Sequence, residues 1–189
     1  GDAIAVNGVI STPLAAEAAG QAAATFQING EVAYPYCVVY PAPEAVAIED
    51  ETTEEEPTPE PTPEPTLPEN TYPVTFANVQ PYTVGTFAPQ SAPMYAYTVE
   101  AAEGEPQLPI QMQHLSGALR LAVKGDINLT AMTVAAEGKI AGTFLIDCKT
   151  GKLTAHEEAV NNISVTFPEG GLKLSADVAT PIYVAVPAG

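Results

Sequence analysis

The chain carries few groups able to do chemistry, and their spacing is uninformative. It has two histidines, His114 and His156, and two cysteines, Cys37 and Cys148. Neither histidine lies in an H-E-x-x-H or comparable metal pattern, and no Cys/His spacing matches a zinc site. His114 reads as a structural or solvated side chain between a strand and a Leu115-Ser116-Gly117 turn. His156, beside Glu157 and Glu158, reads as a surface residue. Two cysteines are too few for a disulfide framework. They read as part-buried free thiols, with a single Cys37–Cys148 disulfide as the alternative. There is no G-x-S-x-G elbow, P-loop or dinucleotide glycine fingerprint. Carboxylates for glycoside hydrolysis can meet from distant positions. Outside one acidic run, however, the acids fall mostly in turns, at Glu103, Glu105, Asp126, Glu137, Asp147 and Glu169. Turn acids face solvent. The expectation is a protein that is not an enzyme, with no catalytic residue, no metal ligands and no cofactor.

Sugar recognition uses exposed aromatic platforms. Without tryptophan, the candidates are Tyr34, Tyr36, Tyr40, Tyr72, Tyr82, Tyr95, Tyr97 and Tyr183. At alternating strand positions such rings more often pack in a core or at an edge, with the hydroxyl left wet. Two glycosylation sequons, Asn128-Leu129-Thr130 and Asn162-Ile163-Ser164, matter only in a host that modifies them.

Charge separates the chain into two unequal parts. There are 23 Asp+Glu against 6 Lys+Arg, a net charge of −17. The first basic side chain is Arg120, so residues 1–119 hold 16 acids and no Lys or Arg. That excludes nucleic acid, whose binding depends on cations that neutralise phosphate. It also excludes a polybasic contact with anionic lipid. No apolar run approaches the ~18 residues that a spanning helix needs. The start, Gly1-Asp2-Ala3-Ile4, has neither a charged n-region nor an apolar h-region. The composition reads as that of an acidic, exported chain.

The elements that would position any site are strands. Residues 49–69, EDETTEEEPTPEPTPEPTLPE, hold nine acids and six prolines. Proline removes N–H donors and like charges repel, so this stretch predicts an extended or disordered acidic Pro-rich loop at 49–70. It has no glycine and no D-x-D spacing, which argues against calcium. Strand signals occur at Ala24–Asn29, Val32–Tyr40, Pro93–Val99, Leu108–Met112, Ala118–Val123, Leu129–Val134, Thr143–Ile146, Ile163–Phe167 and Ile182–Val186, with turn-formers between them. Asp147–Lys152 reads as a hairpin turn with glycine at a positive-φ position. Pro13–Ala24, rich in alanine but interrupted by Gly20, predicts a short helical turn at best. Evenly spaced strands and turns predict an all-β antiparallel fold, a sandwich or a barrel. One β domain over 1–189 is expected, with an alternative boundary near 105.

The order of several short segments adds a resemblance. Val39-Tyr40-Pro41-Ala42 closes an aromatic strand. Val79-Gln80-Pro81-Tyr82-Thr83-Val84-Gly85-Thr86-Phe87 is followed by Ala92-Pro93-Met94-Tyr95-Ala96-Tyr97. Then come Leu115–Gly125 and Met132–Phe144, and the chain closes on Tyr183–Pro187. From about Tyr34 to Gly189 this succession resembles the fimbrillin-like proteins, the major and minor fimbrial subunits of gut and oral Gram-negative anaerobes. The resemblance implies a transthyretin-like, Greek-key type β-sandwich in an exported lipoprotein at the outer membrane and cell surface. It implies assembly into a fimbrium through strand donation, in which main-chain bonds supply affinity and alternate side chains supply register. The implied partners are other fimbrial subunits or the protein itself, with host protein or glycan as adhesion targets. Membrane attachment would run only through a lipid-bearing cysteine upstream, and a further β domain is expected beyond Gly189. A monomeric surface module that binds glycan or protein is the alternative expectation.

Overall fold

The structure, a computed structural model, describes residues 2–15, 23–43, 68, 70–98 and 110–188. The acidic Pro-rich run (apart from Pro68), residues 16–22 of the helical candidate, and the boundary near 105 lie outside the described residues. Among those described there is no α-helix, only strands and one 3-10 turn at Pro89–Ser91, so the protein is all-β.

One sheet runs in the order β2-β1-β3-β6-β7: β1 is Ala5–Val6, β2 Val9–Ile10, β3 Tyr36–Tyr40, β6 Met94–Thr98 and β7 Gln113–His114. A second runs β12-β11-β4, with β4 at Thr71–Phe76, β11 at Gly142–Asp147 and β12 at Lys152–Ala155. The two face each other as sandwich layers. Cys37 and Val39 of β3 meet Val74 and Phe76 of β4 and Phe144 and Ile146 of β11 in one buried core. Side chains alternate along a strand, so Val38 of β3 and Val6 of β1 point the other way. There Phe26, Ile28, Val32, Ile110 and Met112 pack against them. This sheet is therefore covered on both faces, which explains the unbroken apolar run of β3.

The other strands build a second core. A long antiparallel ladder pairs β8, Ser116–Val123, with β15, Thr180–Pro187, and a three-stranded sheet runs β10-β13-β5. Here β5 is Val79–Pro81, β10 Ala131–Ala135 and β13 Asn162–Thr166, and a small pair joins β9, Asn128–Leu129, to β14, Leu172–Lys173. Ile163 and Val165 of β13 pack with Ile182 and Val184 of β15. Full burial of each such aliphatic side chain is worth about 1.5–3 kcal/mol. Only the β13–β5 pairing is parallel among the described pairs. Strands β4 and β5 are separated by Ala77-Asn78 alone but serve different sheets, so the chain passes between the cores there.

Several sequence expectations change. Ala24–Asn29 is no strand: a single bridge ties Ile28 to Ser11, and its alternation instead lays Phe26 and Ile28 over the first sheet. Val32–Tyr40 shortens to β3, and Ile110–Met112 likewise covers a sheet face without joining one. Leu115–Gly117 is not a turn, because Leu115 is buried and β8 already begins at Ser116. Leu129–Val134 divides between β9 and β10. The cysteines are not free thiols: Cys37 and Cys148 form a disulfide, both 1% exposed, with Cα atoms 5.7 Å apart. Facing layers bring the two Cα atoms into disulfide range, a contact that 111 residues of sequence separation conceal.

Two local turns follow from residue type. Asn7-Gly8 joins β1 to β2 with φ of 49° and 84°, the two positive values that a two-residue type I′ hairpin needs. The Asp147–Lys152 hairpin forms as the sequence predicts, with Gly151 at φ 73°. A Cβ at Gly151 would collide with the Tyr95 hydroxyl, so the position also requires glycine for space.

Candidate functional site

The residues first suspected of chemistry do not converge. His114 is exposed on β7, opposite Met94. His156 lies at the surface, its Nδ1 3.9 Å from a Glu158 carboxylate oxygen and accepting a 3.5 Å bond from the Glu158 N–H. Among the described residues no group of three or more His, Cys, Asp or Glu could hold a metal. Asp147 caps its own hairpin by accepting from the N–H groups of Lys149 at 3.0 Å and Thr150 at 3.2 Å. Hydrogen bonding from Thr150, foremost through its side chain, holds that carboxyl below its usual range.

Most tyrosines pack. Tyr72, Tyr95 and Tyr97 lie against the first core, Tyr82 against the second, and Tyr36 and Tyr40 against the outer layer of the first sheet. Tyr183 is half-buried on β15. Tyr34 differs, being 38% exposed and stacked on Tyr36 with ring centroids 3.9 Å apart.

The two edges of the β8–β15 ladder differ instead in how they are finished. The N–H of Ala185 donates to Gln80 Oε1 at 2.9 Å, and Gln80 Nε2 donates back to the Ala185 carbonyl at 2.8 Å. Those groups point away from β8, so by strand alternation the backbone of Pro181, Tyr183 and Pro187 points the same way. Proline has no N–H to offer. The outer edge of β15 is thus closed by two prolines and one buried glutamine, and among its outward residues only Tyr183 keeps an N–H with no partner among the described residues.

The far edge of β8 has no partner among the described strands. By the register with β15, the N–H and C=O groups of Ser116, Ala118, Arg120 and Ala122 face outward there. Leu119, Leu121 and Val123 project into the second core and are only partly buried, whereas Ala118, Arg120 and Ala122 are exposed. At eight residues β8 exceeds the other edge strands described that lie open, the six-residue β4, which carries Pro73, and the five-residue β10. It carries no proline and no interrupting bulge, and one basic side chain, Arg120, stands mid-strand. An edge of this kind is a template for another strand.

No family model, curated protein or solved structure matches the chain. Sequence reasoning missed the role of Gln80, because nothing local distinguishes a strand glutamine that bonds a backbone 105 residues away. Pro181 and Pro187 did carry a signal: prolines spaced by an even number of residues within one strand mark a single, unpaired edge.

Proposed function

We propose that this protein is an exported structural or adhesive subunit of fimbrillin-like kind that joins neighbouring subunits by β-strand addition along β8. The observation that carries the reading is the edge of β8, eight residues long and open among the described strands, beside a core in which Leu119, Leu121 and Val123 are partly buried. An incoming strand would satisfy the outward backbone groups and cover those side chains, which are the two gains of β-augmentation. The closed edge of β15 gives the addition one direction. Support for export comes from the buried Cys37–Cys148 disulfide, since such bonds persist in oxidising compartments. The order of segments from Tyr34 to Pro187 supports the finer transthyretin-like, Greek-key reading, with the Pro/Glu run as an acidic loop outside the core. The partner is another fimbrial subunit or a second copy of this chain.

Ala118→Pro tests this reading. Ala118 sits opposite Ala185, whose N–H points away from the ladder, so proline there removes an edge donor without breaking a β8–β15 bond. Exported full-length protein, with and without a trypsin-like protease, is compared by size-exclusion chromatography and by electron microscopy of cells. The expected result is assembly by the native chain and loss of assembly by Ala118→Pro with an unchanged thermal melt. A native chain that stays monomeric and fibre-free under both conditions overturns the proposal, as does undiminished assembly of the variant.

A second reading, a monomeric glycan-binding module, is favoured by the exposed Tyr34 ring stacked on Tyr36. Glycan-array binding that disappears in Tyr34→Ala would support it. Absence of array binding by the native chain would remove it.

A further inference from the structure

A second feature lies away from β8, where the end of the first sheet meets β5. A cleft of about 490 Å³ opens there, lined by Asp2, Tyr40, Val79, Pro81, Ala88 and Gln90 among others. Its volume falls within the ~300–1,000 Å³ usual for ligand sites. The walls are built rather than frayed. The Asp2 carbonyl accepts the Leu14 N–H at 2.8 Å, and the next residue, Ala3, accepts the Ala42 N–H at 2.9 Å. Opposite, the 3-10 turn is closed by the Ser91 N–H on the Ala88 carbonyl at 2.9 Å. Val79 is 52% exposed although it sits in a paired strand, so one wall is apolar and open.

The cleft's chemistry is one-sided. Among its described lining residues the one charged side chain is the Asp2 carboxylate, with no Lys, Arg or His beside it. Among the described residues Asp2 forms no ion pair, and no Lys or Arg precedes Arg120 in the chain. Burial foremost, then the nearby Asp2 charge, raises the Tyr40 pKa, so tyrosine supplies no competing charge. An aliphatic wall that ends in a carboxylate beside an aromatic ring complements one kind of side chain: a long apolar stem with a cation at its tip.

We propose that this cleft receives an arginine or lysine side chain from a partner polypeptide, with its stem along Val79 and Pro81 and its cation at the Asp2 carboxylate beside the Tyr40 ring. The net charge of −17 draws basic segments towards the protein and repels anionic ligands. Nothing in this assignment depends on the β8 edge, so either proposal can fail alone.

The test uses isotopically labelled full-length protein and two small probes, N-acetyl-argininamide and its uncharged counterpart N-acetyl-glutaminamide. Titration with the arginine probe is expected to shift the resonances of Tyr40, Val79 and Ala88, and added salt to weaken the response. Asp2→Asn should weaken binding about tenfold or more, because a charge-assisted bond is lost. Val79→Lys, a surface substitution that places a cation in the cleft, should abolish binding while the rest of the spectrum is preserved. Equal response to the glutamine probe overturns the proposal, as does Asp2→Asn binding like native protein, or shifts caused by a neutral methyl glucoside instead.

Discussion

Substituting Gln80 by leucine removes three hydrogen bonds while keeping a side chain of similar length in a site that is 1% exposed. Two of those bonds, at 2.8 and 2.9 Å, satisfy the N–H and C=O of Ala185, itself fully buried. Leaving a buried backbone group unpaired costs about 1–3 kcal/mol. The third bond, to the Ala77 carbonyl at 3.2 Å, is longer and only part-buried, so its loss weighs less. Leucine recovers some of the total through apolar burial, which gives a net loss of about 2–4 kcal/mol. Gln80→Ala adds a cavity and should cost about 1–2 kcal/mol more. Gln80→Glu keeps the acceptor for the Ala185 N–H but can donate to its carbonyl only when protonated. Burial raises such a carboxyl's pKa above its unfolded value. Its contribution is then present at low pH and lost as pH rises through the folded value. That variant should lie closer to native stability at about pH 4 than at about pH 7. The chain has no tryptophan, so urea unfolding is followed by far-ultraviolet circular dichroism, with the denaturant slope checked for constancy. If Gln80→Leu stays within about 0.5 kcal/mol of native stability, the range of ordinary surface changes, the reasoning fails. It also fails if alanine proves milder than leucine.

Replacing both Cys37 and Cys148 by alanine should cost about 2–5 kcal/mol, because their bond closes a loop of 111 residues; a calorimetric comparison of the two proteins decides this. The Asp147 carboxyl is held below its ordinary pKa. Its contribution is present above the unfolded value and lost as pH falls through the folded one. Asp147→Asn should flatten that part of the acid limb, and native protein should show the Thr150 amide resonance moving at a pH below the ordinary carboxylate range. Limited trypsin digestion should cut first at the exposed Lys149 in the β11–β12 turn and yield no N-terminal fragment shorter than 1–120, read by mass spectrometry.

The all-β character was legible because strand-forming runs alternate with turn residues, and each signal is local. β6, β8, β11, β13 and β15 follow from such runs, and the Asp147–Gly151 turn follows from the residue types it requires. Asn7-Gly8 carries the same kind of information, but its flanking strands of two residues each are too short to form a strand run. Ala24–Asn29 misled because period-two alternation reports a buried face without reporting a hydrogen-bonded neighbour. Phe26 and Ile28 find that burial by lying across a sheet.

By itself the sequence determined what this protein lacks and carries: no basic residue before Arg120, no recurring metal or nucleophile spacing, and enough β-branched and aromatic runs to make an all-β fold. These are properties of residue type and near-neighbour order. Only the tertiary structure decided that the two cysteines meet, that Gln80 seals one edge of the β8–β15 ladder, and that the other edge has no partner among the described strands. The first two join positions more than 100 residues apart, and strand order in a sheet is a contest among many pairings of similar local quality. Packing of whole layers decides that contest.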